Sequence, residues 1–120
     1  MGMIRVYVAG AYNAPNVIGV LDNMRRGMKL AFDVLKAGFA PFCPFFDYHF
    51  SLIGDVTIEE YYQYSMSWLR VSDAMILVPG WGKSEGTHKE LTEASKLGIP
   101  AFYTLDELKA WAETRSTECA

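Results

Sequence analysis

The segment with the most chemical content is Pro79-Gly80-Trp81-Gly82-Lys83-Ser84-Glu85-Gly86-Thr87-His88-Lys89-Glu90. It follows an apolar run, Ala74-Met75-Ile76-Leu77-Val78, and leads into residues with helical spacing. A glycine-bearing turn between a strand and a helix leaves the first helical N–H groups without intrahelical acceptors, so they can hold an anion. Ser84 adds a hydroxyl, and Gly86 lets a ligand approach the backbone closely. Gly82-Lys83-Ser84 imitates the end of a Walker loop, but the upstream glycine which that motif requires is Leu77 here. The dinucleotide fingerprint is missing too, since Gly10 stands without its two companions.

Glu90 admits two readings. In one, Thr87 caps the helix and Glu90 completes its capping box, a purely structural pair worth roughly 1 kcal/mol. In the other, Glu90 is a carboxylate in the first helical turn, at the mouth of a crevice, kept ionised at neutral pH by the positive end of the helix. Such a group could attack the anomeric carbon of a phosphorylated sugar. Spacing alone leaves both open and leans to the cap.

Other residues invite weaker readings. Asp47-x-His49 has the types for a metal pair or an acid-base couple, but no third ligand at suitable spacing. His88 is expected at the surface. Trp81 is either a lid contact or a packing anchor, and Arg25 and Arg26 read as solvated. Nine of the chain's seventeen aromatic residues fall between Phe39 and Tyr64, too many for one small core. They suit a subunit interface, and secondarily a stacking wall for a nucleobase.

The elements that must position these groups alternate between two periods. Ile4 to Ala9 reads as a buried strand, and Gly10 to Asn16 as a loop in which Asn13 or Asn16 can cap a helix. Val17, Leu21, Met24, Met28, Ala31 and Leu35 recur at helical spacing and should form the buried face, with Gly38 as the stop. Phe39 to Pro44 carries two prolines, which suits an edge strand. Thr57-Ile58-Glu59-Glu60 opens a second helix running to about Arg70. Ala74 to Val78 is apolar throughout, as a strand covered on both faces should be. A third helix from Thr87 to Leu97, a strand Ala101 to Tyr103 and a helix opened by Thr104 complete one domain over residues 1–114. Residues 115–120 read as a flexible tail. Right-handed crossovers make this an α/β fold: a three-layer, Rossmann-like or flavodoxin-like parallel sheet of strand order 2-1-3-4 with helices on both faces. Its crevice should open between the first and third strands, walled by Gly10–Asn16 and Pro79–Thr87.

Composition narrows the partners. The chain has 120 residues and a formal charge of −3, with no basic run to grip a nucleic-acid polymer. Apolar stretches are too short to span a membrane, and the two cysteines form neither a disulfide framework nor a metal motif. Cytoplasmic residence is the default expectation.

Three stretches together carry a resemblance: Val6-Tyr7-Val8-Ala9-Gly10-Ala11-Tyr12, Trp68-Leu69-x-x-x-Asp73-Ala74, and Pro79-Gly80-Trp81-x-x-Ser84-x-Gly86-Thr87-x-x-Glu90-x-x-x-Ala94-x-x-x-Gly98-Ile99-Pro100. From Ile4 to about Tyr103 the chain resembles the nucleoside 2-deoxyribosyltransferase superfamily, which includes 2′-deoxynucleoside 5′-monophosphate N-glycosidases. The resemblance implies that Glu90 is a nucleophile forming a glycosyl-enzyme ester and that Ser84 helps hold a 5′-phosphate. It further implies that Gly10, Tyr12 and Asn13 line a nucleoside pocket, and Ser65, Trp81, Gly86 and Thr87 are expected to contact the substrate as well, Gly86 beside the phosphate. It implies a nucleoside or nucleotide as the small-molecule partner, no metal or organic cofactor, and a homodimer or higher homo-oligomer. Where that family usually carries an aspartate that assists the leaving base, eight positions before Asp73, this chain has Ser65, which cannot act as a carboxylic acid. Asp73 itself is expected to be structural. The ends of the Pro79–Glu90 motif also resemble the cytokinin-activating phosphoribohydrolases, with three extra residues between, and a nucleotide-sensing module without turnover is a further alternative.

Overall fold

The computed structural model describes residues 2–44, 50 and 52–119, with side chains described as far as Arg115. Four strands form one parallel sheet in the order β2-β1-β3-β4, where β1 is Arg5–Ala9, β2 Ala40–Phe42, β3 Ala74–Leu77 and β4 Ala101–Phe102. The connecting helices are α1 (Val17–Lys36), α2 (Ile58–Leu69) and α3 (Glu85–Lys96), and α4 (Leu105–Cys119) follows β4. This is the expected α/β architecture and strand order.

Strand alternation divides the interior into two cores. Val6, Val8, Ala74 and Ile76 point to one face, where they meet Ala31 and Val34 of α1 and Leu108 and Ala112 of α4. Tyr7, Ala9, Met75 and Leu77 point to the other, against Met66 and Leu69 of α2 and Ala94 of α3. Register fixes this division, with Val6 beside Ala74 and Ala9 beside Leu77. The edge strand β2 is only three residues long and contains Pro41, whose missing N–H a central strand could not accommodate.

Local signals set most helix ends. Asn16 caps α1 by accepting from the Gly19 N–H at 2.9 Å. Thr57 and Glu60 form a reciprocal capping box on α2, which holds the Glu60 carboxyl below its ordinary range. Gly38 and Gly98 take φ of 100° and 72° just beyond α1 and α3, which is why glycine stands there. The helix α4 continues to Cys119, through the residues whose composition suggested a tail.

The orientation of α1 corrects the sequence reading. Gly27, Ala31 and Val34 are its buried residues, while Val17, Leu21, Met28 and Leu35, expected on the core face, are exposed. Small side chains let the helix axis lie close to the sheet, and the bulkier apolar row is rotated towards the outside. Periodicity identifies an apolar arc but not which edge of a wide arc meets the sheet.

Candidate active site

The carboxyl group of Glu90 meets the sheet at Tyr7. Tyr7 is the central residue of β1, fully buried, and its hydroxyl donates a hydrogen bond to Glu90 Oε2. A tyrosine hydroxyl in the middle of a core needs an acceptor, and Glu90 supplies it. The carboxyl retains some accessible surface but is largely surrounded by protein. Burial pushes it up from its ordinary value of 4.5 to about 7, and the Tyr7 hydrogen bond works in the opposite direction.

Two expectations for Glu90 change as a result. Thr87 is not the cap of α3: Ser84 is, and its Oγ accepts from the Thr87 N–H at 3.1 Å and from the Thr87 hydroxyl at 2.9 Å. The helix therefore begins at Glu85, which places Glu90 in the second turn, outside any capping box and beyond the strongest influence of the positive helix end. Nor is the carboxyl held permanently ionised at neutral pH. Desolvation outweighs the Tyr7 hydrogen bond because the side chain is packed against β1.

The loop before α3 is built from its own contacts. Gly80 begins a single 3₁₀ turn over Trp81–Lys83, which sequence spacing did not indicate. Trp81 packs on the second core, with its ring 5.3 Å from that of His88 and 6.0 Å from that of Tyr103, so it is a packing anchor. The exposed His88 is tied back through Nε2 to the Gly82 carbonyl at 2.9 Å. Thr87 is fully buried, whereas Gly86 is exposed, and an added Cβ there would lie 3.9 Å from Ser84 Oγ, an ordinary van der Waals contact.

Across the crevice, Gly10 passes so close to β3 that an added Cβ would lie 2.6 Å from Val78 Cβ. Its lack of a side chain is thus a packing requirement. The loop that follows is pinned by Asn23 of α1, whose side-chain amide donates to the carbonyls of Tyr12 at 3.1 Å and Asn13 at 3.3 Å. The Tyr12 side chain packs against the first core, on the α1 side of the sheet, whereas Glu90 lies on the α2–α3 side. Ser65 is half-buried on α2, at helical spacing from Tyr62 and Leu69 of the second core. Asp73 accepts from the Arg5 N–H at 2.8 Å and pairs with Arg5 and Arg115 at the amino ends of the strands, a structural role as expected.

An aromatic series leads outward from Tyr7. Phe42 lies 5.7 Å from Tyr7 and stacks on Trp68 at 5.4 Å, Tyr64 contacts both Phe42 and Trp68, and Phe50 meets Tyr64 edge-on. Trp68 and Phe50 are half-exposed. Phe45, Phe46, Asp47, Tyr48 and His49, read above as interface aromatics and a weak metal or acid-base pair, lie outside the described residues. Among the described residues no group of three or more His, Cys, Asp or Glu side chains is placed to hold a metal ion, and no helix is long and apolar enough to cross a membrane. Two surface hollows lie away from Glu90, one at the amino ends of the strands beside Asp73 and one on the outer face of α1.

A family model described as a domain of unknown function, DUF4406, matches residues 4–103. The chain belongs to the DUF4406 family. The matched segment holds all four strands and every site residue above, while α4 lies beyond it and still gives Leu108 and Ala112 to the core of this DUF4406 domain. No curated protein matches the sequence.

Tyr7 is the site residue that sequence reasoning missed. The signal was available: in Val6-Tyr7-Val8 the alternation sets Tyr7 on the face opposite two valines, and a buried phenol must find a partner. Which helix supplies that partner is a tertiary fact that spacing does not contain.

Proposed function

We propose that this domain cleaves or transfers the N-glycosidic bond of a nucleoside or a nucleoside 5′-monophosphate, with Glu90 as the nucleophile. The observation that carries this reading is the pairing of Glu90, at the family-like nucleophile position, with the buried Tyr7 hydroxyl, at a pKa of about 7. The ionised carboxylate attacks C1′, the C1′–N bond breaks, and the base departs with the bonding electrons and takes a proton from water. Water, or a second base, then attacks C1′ of the Glu90 ester and releases the carboxylate, so the two displacements give net retention. Tyr7 orients the carboxyl and favours its charged form. The aromatic series from Phe42 to Trp68 offers a surface on which a base can stack. Helix α3 begins at Glu85, directly after Ser84, and a helix amino end suits a 5′-phosphate.

Glu90→Ala should abolish base release across a panel of ribo- and deoxyribonucleosides and their monophosphates, followed by chromatography, while far-UV circular dichroism stays unchanged. Undiminished release by the folded variant would overturn the assignment. Ser65, which cannot protonate a departing base, favours one competing reading: a nucleotide-binding module without turnover. Calorimetric binding of a monophosphate with no base released by the unmodified protein would select it.

A further inference from the structure

We infer that Arg26 is a specificity residue of the crevice. Its guanidinium takes a phosphate monoester, which makes a nucleoside 5′-monophosphate, and not the free nucleoside, the substrate class. The inference deepens the proposed function and rests on it for the reaction, while the binding it describes can be measured on its own.

The sequence sets Arg25 and Arg26 side by side on α1, but the structure separates their roles. Arg25 pairs with Asp22 at 3.5 Å and Lys29 with Asp33 at 3.4 Å, so both of these cations are compensated within their own helix. Among the described residues Arg26 has no carboxylate partner. Its Nη1 donates instead to the amide oxygen of Asn23 at 3.2 Å. The amide nitrogen of the same Asn23 holds the carbonyls of Tyr12 and Asn13. One side chain thus fixes the loop after β1 with its donors and the guanidinium with its acceptor.

The guanidinium also reaches the opposite wall. A Cβ added at Gly80 would lie 3.9 Å from Arg26 Nη1. Gly80, with a φ of 92°, opens the turn that leads from β3 to Ser84 and α3. Arg26 therefore extends from α1 to the carboxyl ends of β1 and β3, where the strand order reverses. Parallel sheets bind their ligands at this point.

The chemistry of the group selects the ligand. A guanidinium stays charged at neutral pH and offers five N–H donors in a planar fork that matches two oxygens of one phosphate. Asn23 is a neutral acceptor, so the hydrogen bond to it leaves the charge uncompensated. A phosphate monoester supplies opposite charge and paired oxygens together. A free nucleoside has no charge to offer. Arg26 is exposed, which leaves it open to a ligand arriving from solvent and keeps the gain to about tenfold in affinity.

Isothermal titration calorimetry of the full chain with common nucleosides, their 5′-monophosphates and inorganic phosphate tests the assignment. At least one monophosphate should bind about tenfold more tightly than its nucleoside, and the margin should shrink as salt rises from about 20 to 300 mM. Arg26→Gln should weaken that monophosphate about tenfold and leave nucleoside binding unchanged. Arg26→Lys, which keeps the charge without the fork, should fall between. Should Arg26→Gln fail to fold, Arg26→Lys and the salt series decide. Equal affinity for every nucleoside and its monophosphate overturns the inference, as does absence of binding by every compound. A preference that Arg26→Gln leaves intact overturns it too, by placing the phosphate elsewhere. Inorganic phosphate that binds as tightly as every monophosphate makes free phosphate the ligand and overturns the substrate class. An Arg26-dependent preference without base release supports the phosphate site and overturns the proposed reaction. Base release as fast from free nucleosides as from monophosphates does the reverse.

Discussion

Replacing Glu90 by glutamine should stabilise the protein above neutral pH, even though it removes the proposed nucleophile. Burial lifts the carboxyl from 4.5 to about 7. Between those values the folded chain keeps a proton on Glu90 that the unfolded chain has released. With more protons bound in the folded state, stability falls as pH rises through this window and levels off above it. The accumulated loss above pH 7 is roughly 3 kcal/mol, the free energy of ionising the carboxyl inside the fold rather than in water. Glutamine occupies nearly the same volume, does not titrate, and its amide oxygen can accept the Tyr7 hydroxyl. Urea denaturation of both proteins at about pH 5, 6, 7 and 8 measures the difference. Near pH 5 the two should be close in stability, and by pH 8 the variant should be ahead by roughly 3 kcal/mol. A difference that does not change with pH, or a variant that is the weaker at pH 8, would refute the account of this carboxyl.

Three further substitutions probe the same frame. Tyr7→Phe removes the hydrogen bond that favours the charged carboxyl, so the Glu90 titration midpoint, followed by carbon-13 NMR, should climb by about one pH unit or more; an unmoved midpoint would count against the pairing. Gly10→Ala should destabilise by about 1–3 kcal/mol in thermal or urea unfolding, because the new methyl overlaps Val78, and Val78→Ala in the same chain should recover part of the loss. Ser84→Ala should cost about 1 kcal/mol of stability without any ligand present, since Ser84 caps α3 and accepts from Thr87; equal stability would mean that the cap contributes nothing.

The strand order and the alternation of elements were legible because they rest on short-range signals: apolar runs bounded by glycine, capping residues, and right-handed crossovers. The start of α3 was less so. Ser84-x-x-Thr87 and Thr87-x-x-Glu90 both obey the spacing of helix caps, and only the packing of Thr87 inside the protein selects the first. That displacement of three residues moves Glu90 from the first helical turn to the second, and burial against β1 raises its pKa where the helix end was expected to keep it ionised. The outward rotation of α1 escaped for a related reason. Its apolar arc is wide enough to offer two faces, and the sheet takes the one with the smaller side chains. The Tyr7–Glu90 pair joins residues 83 positions apart, so it belongs to topology rather than to any local pattern.

A carboxyl that titrates near 7 is well suited to the displacement proposed for it. A carboxylate held far below neutrality by surrounding donors would be ionised throughout, but its charge would be committed to those donors and poorly available to C1′. Among the described residues Tyr7 is the donor to Glu90, and burial raises the pKa of that carboxyl to about 7, so near neutral pH both protonation states are populated. In the proposed reaction, the loss in population is small beside the gain when a poorly solvated carboxylate meets positive charge developing at the anomeric carbon. The arrangement also bears on Ser65. In the proposed reaction there is no acid at the position that usually assists the base, so bond cleavage would depend more heavily on the attacking group, which burial would strengthen.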